Sequence, residues 1–312
     1  MDVKGKRVFV GLSGGVDSAV SAALLQEAGA KVTGVFIKGW YPPGIPCTWA
    51  RERQDAMRVA ARLHIPFETL DASAEYKQGV IDYLLAEYRV GRTPNPDVMC
   101  NREVKFGVFY RYAMAQGADY IAMGHYRGGE KDQTYFLWAV PKEILAKTLF
   151  PVGGMEKGAV RALAKRFNLP VAEKRDSQGI CFLGSVSVKD FLRTELGDNP
   201  AILYTIGERV EGGYVVGKDI EKGTIKVAGT PPNAKEIRFF HENWTGSWGG
   251  SLTAQYRYHG PQVSGRILDI RCPTHPMSYI FESDEMLPEM PAPGQSVVFY
   301  RGDELLGGGI IA

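Results

Sequence analysis

The sequence predicts an α/β protein: an N-terminal doubly wound parallel sheet, then a small β-rich central module, then a C-terminal antiparallel β-barrel. Three observations predict it. Apolar strands alternate with amphipathic helices over residues 7–123, the pattern of βα units on a parallel sheet. A glycine-rich turn follows the first strand, at the end where such sheets gather ligands. Beyond Glu195, helical periodicity gives way to short alternating segments separated by Gly and Pro, which suits a small barrel. The expected divisions are residues 1–194, 195–232 and 233–312.

Taken in order, residues 7–12 read as a buried strand, and Val16, Val20, Ala23 and Leu24 recur at helical spacing until Gly29 supplies a stop. Residues 31–37 form the second strand. Residues 51–64 predict a helix with Ala56, Val59, Ala60 and Leu63 inward. A short strand at 67–70, helices at 74–90 and 102–116, and a strand at 120–123 complete the series. Further on, residues 212–219 and 223–229 read as short strands, and Pro231-Pro232-Asn233 as a linker. Residues 251–258, 263–271, 278–281 and 296–300 alternate as barrel strands do.

With 312 residues, 45% hydrophobic and 23% charged, the chain has material for two or three soluble domains. No run approaches the length of a membrane span, and residues 1–6 lead straight into a strand, so a cytoplasmic protein with no membrane partner is expected. Four cysteines, Cys47, Cys100, Cys181 and Cys272, are too few and too scattered for a disulfide framework. A net charge of +2 decides nothing about nucleic acid. The distribution says more: residues 142–193 carry ten Lys and Arg against five Asp and Glu, whereas 233–312 carry six against nine. That basic middle reads either as a track for a phosphate backbone or as solvated helix faces.

The turn Gly11-Leu12-Ser13-Gly14-Gly15-Val16-Asp17-Ser18 joins the first strand to its helix. Gly14 and Gly15 admit backbone angles closed to other residues, so successive N–H groups can face one concavity with the helix dipole behind it. Such a concavity suits a pyrophosphate. Asp17 is the odd member, since a carboxylate repels a polyphosphate unless a divalent cation lies between, which points to a magnesium nucleotide; the resemblance below makes that ATP with Mg2+. The lysine of the common G-x-x-x-x-G-K-[ST] loop is absent. At S-G-G-V-D-S the chain resembles the PP-loop ATP pyrophosphatase superfamily, whose adenine nucleotide alpha hydrolase-like fold implies adenylation of a carbonyl oxygen and displacement of AMP by a nucleophile. Gly124 and His125, which follow the fourth strand, are expected in the same crevice; His125 reads as either a core histidine or a ligand contact.

Two more stretches carry chemistry. In Gly91-Arg92-Thr93-Pro94-Asn95-Pro96-Asp97-Val98-Met99-Cys100-Asn101-Arg102 the prolines predict a stiff loop that presents Asp97 and Cys100 ahead of a helix beginning near Arg102. A thiol there would have its thiolate favoured by the dipole, with Arg102 and Lys105 adding to the effect. Asp176-Ser177-Gln178-Gly179-Ile180-Cys181-Phe182-Leu183-Gly184 sets a second cysteine between glycines. Cys272 and Cys47 read as structural. If Cys100 and Cys181 both reach the nucleotide, one can carry persulfide sulfur while the other releases it by forming a disulfide.

The strings SGGVDS, GRTPNPDVMCNREVKF, MGHY, KDQTYFL, LFPVG, DSQGICFLG, PGQSVVFY and LGGGII together resemble the bacterial tRNA-specific 2-thiouridylases, from the first strand to the last residues. That resemblance implies ATP-dependent adenylation of the 2-oxygen of the wobble uridine in glutamate, glutamine and lysine tRNAs, followed by its replacement with sulfur. It implies that Cys181 carries the persulfide, that Cys100 completes transfer through a disulfide, and that Asp97 is the general acid or base. Asn95, Pro96 and Asp97, with Lys131, Asp132 and Gln133, would line the pocket for an extruded base. Gly11 to Ser18, Ile37 and Gly124 would hold the nucleotide, His125 would lie near the RNA, and Tyr256 and Gln295 would contact tRNA. A separate persulfide donor and a monomeric enzyme are the implied partner and state.

The chain departs from that pattern in three places. The stretch from Phe191 to Tyr204 is short, Gly207-Glu208-Arg209-Val210-Glu211 stands where G-Q-R-K-G is usual, and Gln255 replaces an arginine, with Arg257 nearby to share its contact. The central module is therefore expected to be reduced. Two other readings remain at this point: an adenylating amide ligase with incidental cysteines, and an RNA-binding protein that splits no ATP.

Overall fold

Five parallel strands organise the N-terminal half: β1 (Arg7–Gly11), β2 (Lys31–Lys38), β3 (Phe67–Asp71), β4 (Tyr120–Ala122) and β5 (Thr148–Leu149). This is a computed structural model, and it describes residues 2–42, 49–129, 131–175, 186–231, 234–269 and 279–312. The strand order is β3-β2-β1-β4-β5 with every pair parallel. A central strand of such a sheet is covered on both faces, which is why β1 is an apolar run and not an alternation. Val8 and Val10 are fully buried. The order reverses at β1, between β2 and β4, so a crevice opens beyond the carboxyl ends of β1 and β4. The glycine turn and Gly124 leave those two ends.

The helices Val16–Glu27 and Trp49–Leu63 flank the sheet. Ala56, Val59, Ala60 and Leu63 are the buried residues of the second, as the periodicity requires. β5 has only two residues, too few to show a period in the sequence.

The chain forms two compact units that do not follow sequence order. The first comprises Met1–Gly79, Cys100–Thr134 and Val140–Ser185; the second comprises Val80–Met99, Tyr135–Ala139 and Val186–Ala312. In the second unit, β6 (Arg209–Val210), β7 (Gly213–Asp219) and β8 (Thr224–Ala228) make a three-stranded antiparallel sheet. The strands β9 (Glu236–Trp244), β10 (Leu252–Gln255), β11 (Val263–Asp269), β12 (Tyr279–Ser283), β13 (Ser296–Arg301) and β14 (Glu304–Ile311) close into a barrel in the order β10-β11-β12-β9-β14-β13. Phe239, Phe281 and Phe299 fill its core. Neither β9 nor β14 was expected from sequence; Gly307-Gly308-Gly309 interrupts the alternation of β14.

Segments distant in sequence are stitched into the second unit. The buried Tyr135 hydroxyl donates to the Ser296 carbonyl at 3.0 Å, and Asn243 Nδ2 donates to the Trp138 carbonyl at 2.6 Å. Among the described residues, no helix is long and apolar enough to cross a membrane.

Candidate active site

The glycine turn departs from β1 into the helix Val16–Glu27. Gly14 has φ +74°, and a Cβ there would lie 2.3 Å from the Glu52 carbonyl oxygen. Only glycine satisfies both conditions. Gly15, by contrast, is an ordinary extended residue with φ −97° and ψ 169°, so the turn uses one left-handed residue where the sequence suggested two. Ser18 Oγ accepts from the Ser13 amide at 3.2 Å and donates to the Gly15 carbonyl at 3.2 Å, which pins the two ends of the loop together. Among the described residues, no side chain caps the helix at Gly15. Its first-turn N–H groups and the positive end of its dipole are therefore left for an anion.

Gly124 closes the turn from the β4 side. A Cβ on it would meet the Ser18 nitrogen at 2.9 Å and the Asp17 Cβ at 3.2 Å. It serves the site by letting the loop after β4 approach the helix start.

Asp17 is engaged through both oxygens. Lys157 Nζ donates to Oδ1 at 2.7 Å and Oδ2 at 2.8 Å, and the Tyr126 hydroxyl donates to Oδ1 at 2.8 Å. The cation facing Asp17 is thus a lysine of the protein. Among the described residues, no group of three His, Cys, Asp or Glu could hold a metal. A second lysine, Lys174, donates to the Gly14 carbonyl at 3.0 Å and to Asp55 at 2.7 Å. Arg161 in turn holds the Lys174 carbonyl at 3.1 Å. The basic middle of the sequence therefore sends two lysines to the glycine turn, a destination that their separation of 140 and 160 residues from it hid.

Tyr126 is buried and braced by Gln133, whose Oε1 accepts from the Tyr126 amide at 3.1 Å while the Gln133 amide donates to the Tyr126 carbonyl at 3.1 Å. Asp132 Oδ1 accepts from the Thr134 amide at 2.6 Å, and Lys131 is exposed. His125 is half-buried, with its ring 5.4 Å from Phe106 and edge-on to Phe150 at 6.2 Å. Burial, reinforced by the Lys105 charge, lowers its pKa to about 3. The ring is therefore neutral and packs against two phenyl rings.

The loop expected around Asp97 is a helix. Helix Pro96–Met99 runs into the wide-turned π-helix Cys100–Val108 and then Phe109–Ala115. Pro96 is tolerated because it occupies the first helical position, where its missing N–H costs nothing. Asn95 caps the start: its Oδ1 accepts from the amides of Asp97 at 3.1 Å and Val98 at 3.4 Å. Asp97 is exposed in the first turn. Cys100 lies a full turn in, so the dipole acts on it less than the sequence suggested, and Arg102 is paired with Glu103 at 2.7 Å. Cys100 is buried, and it opens the π-helix, a distortion frequent at functional positions.

One cleft joins the pieces in the first unit. Gly11, Leu12, Ser13, Ile37, Cys100 and Lys105 line it together with the aromatic rings of Trp40, Tyr41 and Tyr76. Cys181, Cys47 and Cys272 fall outside the described residues. In the second unit, Tyr256 and Gln295 line a separate cavity of about 500 Å³ with Glu208, Arg209, Tyr214 and Arg257. The Tyr256 hydroxyl donates to the Glu289 carbonyl at 3.0 Å, and Gln295 Nε2 donates to the Thr93 carbonyl at 2.7 Å. Gln255 Nε2 donates to the Gly260 carbonyl at 3.1 Å, while Arg257 pairs with Glu289 at 2.5 Å.

A parallel sheet whose order reverses beside a glycine-led helix start is the architecture of nucleotide-binding α/β proteins. Residues 6–185 match the family described as tRNA methyl transferase HUP domain, and residues 233–311 that described as aminomethyltransferase beta-barrel domain. The tRNA-specific 2-thiouridylase MnmA of Streptococcus mutans is 38% identical over 361 residues, covering 98% of this chain and 95% of the relative. That of Enterococcus faecalis is 39% identical over 360 residues with the same coverage. The chain belongs to the tRNA-specific 2-thiouridylase family. Both alignments are longer than the chain's 312 residues, so the relatives carry segments that this chain lacks. A solved 4-thiouridine synthetase–RNA complex with bound ATP shares 19% identity at TM-score 0.40, over 64% of this chain and 52% of that one, a likeness too slight to bear on function.

Proposed function

We propose that the chain is an ATP-dependent tRNA-uridine 2-sulfurtransferase acting on the wobble uridine of glutamate, glutamine and lysine tRNAs. The observation that carries this reading is the cleft that Gly11, Leu12 and Ser13 share with Cys100: an anion-binding turn and a sulfur nucleophile open on the same space. ATP lies on Gly11 to Ser18, Ile37 and Gly124, and any Mg2+ arrives with the triphosphate. The uridine O2 attacks the α-phosphorus; pyrophosphate departs with the electron pair of the broken bond, leaving the oxygen adenylated.

The terminal sulfur of a persulfide on Cys181 then attacks C2 and expels AMP. The Cys100 thiolate attacks Cys181 Sγ, a disulfide forms, and the electron pair of the broken S–S bond stays on the sulfur now bonded to C2. An external thiol reduces the disulfide, and a persulfide donor reloads Cys181. Asp97 serves as acid or base, and Asn95 and Pro96 with Lys131, Asp132 and Gln133 border the base. His125 lies near the RNA and supports the site as a neutral ring. Tyr256 and Gln295 contact the tRNA body beside a central module reduced in size. The enzyme works as a cytoplasmic monomer.

Nucleoside mass spectrometry of tRNA tests this, using a strain that lacks its own 2-thiouridylase, with and without this chain. Replacement of oxygen by sulfur in wobble uridine supports it. Unchanged uridine, or an added methyl group, overturns it.

A further inference from the structure

A carboxylate in the first turn of the helix behind a polyphosphate site is unfavourable unless a cation accompanies it. Lys157 is that cation here, and its own position is equally costly by itself. It is the first residue of the helix Lys157–Arg166, where the positive end of a helix dipole disfavours an ammonium. The pair is largely withdrawn from solvent, with side chains 16% and 29% exposed, so it is not an ordinary surface ion pair. The Tyr126 ring lies 5.7 Å from the ammonium while its hydroxyl holds Asp17. The pair sits at the helix start that ATP phosphates would approach.

We infer that Lys157 is a further active-site residue, the ammonium that takes up the charge of the departing pyrophosphate, with Asp17 and Tyr126 as positioning residues that hold it beside the glycine turn. This rests on the reading that the turn binds ATP for adenylation. As uridine O2 bonds to the α-phosphorus, the bond to the bridging oxygen breaks, that oxygen keeps the electron pair, and the uridine N3 proton passes to solvent. Pyrophosphate thereby gains one negative charge beside the turn. Lys157 transfers no proton; it exchanges one hydrogen bond from an Asp17 oxygen to a pyrophosphate oxygen.

Two roles for Lys157 are separable: bearing pyrophosphate charge, or merely neutralising Asp17. The experiment compares wild type, Lys157→Met, Lys157→Arg and Asp17→Asn/Lys157→Met, measuring ATP binding by calorimetry and inhibition of AMP formation by inorganic pyrophosphate. Melting curves establish that each variant folds. Loss of a hydrogen bond to a charged group weakens pyrophosphate inhibition and ATP binding about 10- to 100-fold in Lys157→Met, and Lys157→Arg recovers part of both. The double variant stays as defective as Lys157→Met. Recovery of the double variant to wild-type values, or a Lys157→Met variant that binds pyrophosphate normally, overturns the inference alone. A wild-type protein that binds neither ATP nor pyrophosphate overturns the underlying reading as well.

Discussion

Gln133 and Tyr126 are joined at two points, side chain to amide and amide to carbonyl, each at 3.1 Å. Tyr126 then reaches Asp17 across 109 residues of sequence. Gln133, which the family resemblance marked for contact with a base, braces Tyr126 and through it Asp17 of the glycine turn. Gln133→Ala removes the acceptor for a buried amide, and a destabilisation of about 1 to 3 kcal/mol is expected, read as a lowered Tm. Thiolation should fall together with ATP affinity.

The Asn95 cap gives a second expectation. Asn95→Ala costs about 1 kcal/mol of helix stability at the start of the helical run that carries Asp97 and Cys100. Because Asn95 does not line the cleft of the glycine turn, ATP binding should be unchanged while sulfur transfer slows. Equal losses in both assays would refute this division.

Gly124→Ala places a methyl group 2.9 Å from the Ser18 nitrogen. Backbone cannot yield as a flexible side chain would, so the loop after β4 must retreat at a cost of about 1 to 3 kcal/mol. Weakened ATP binding in calorimetry is the expected result.

His125 sets an acid limit. Its folded pKa, near 3, lies below its unfolded value, so the unfolded chain takes up the proton first. This group costs nothing above about pH 6.5, and stability falls as pH drops from there towards 3. His125→Phe should flatten that part of the curve of denaturant midpoint against pH; an unchanged curve would contradict the assignment.

Cys100→Ser tests the two-thiol transfer. ATP affinity is expected to persist and 2-thiouridine in tRNA to vanish, both measurable on one preparation. Full thiolation by the variant would exclude Cys100 from the reaction.

What the sequence determined by itself was local. Hydrophobic period revealed β1 to β4 and the inward face of the helix Trp49–Leu63, because burial leaves a repeat within a few residues. The S-G-G-V-D-S string marked the glycine turn between β1 and its helix, because its geometry lies in consecutive backbone. Where two local rules competed the reading failed: prolines at 94 and 96 suggested a loop, whereas Pro96 at a first helical position and the Asn95 cap make a helix. Tertiary structure alone decided which charges meet. Nothing near Asp17 in the sequence points to Lys157, nothing near Gly14 to Lys174, and nothing near Thr93 to Gln295. Those pairings depend on strand order and on packing between distant segments, and Coulomb and hydrogen-bond energies follow distance in space, not separation along the chain.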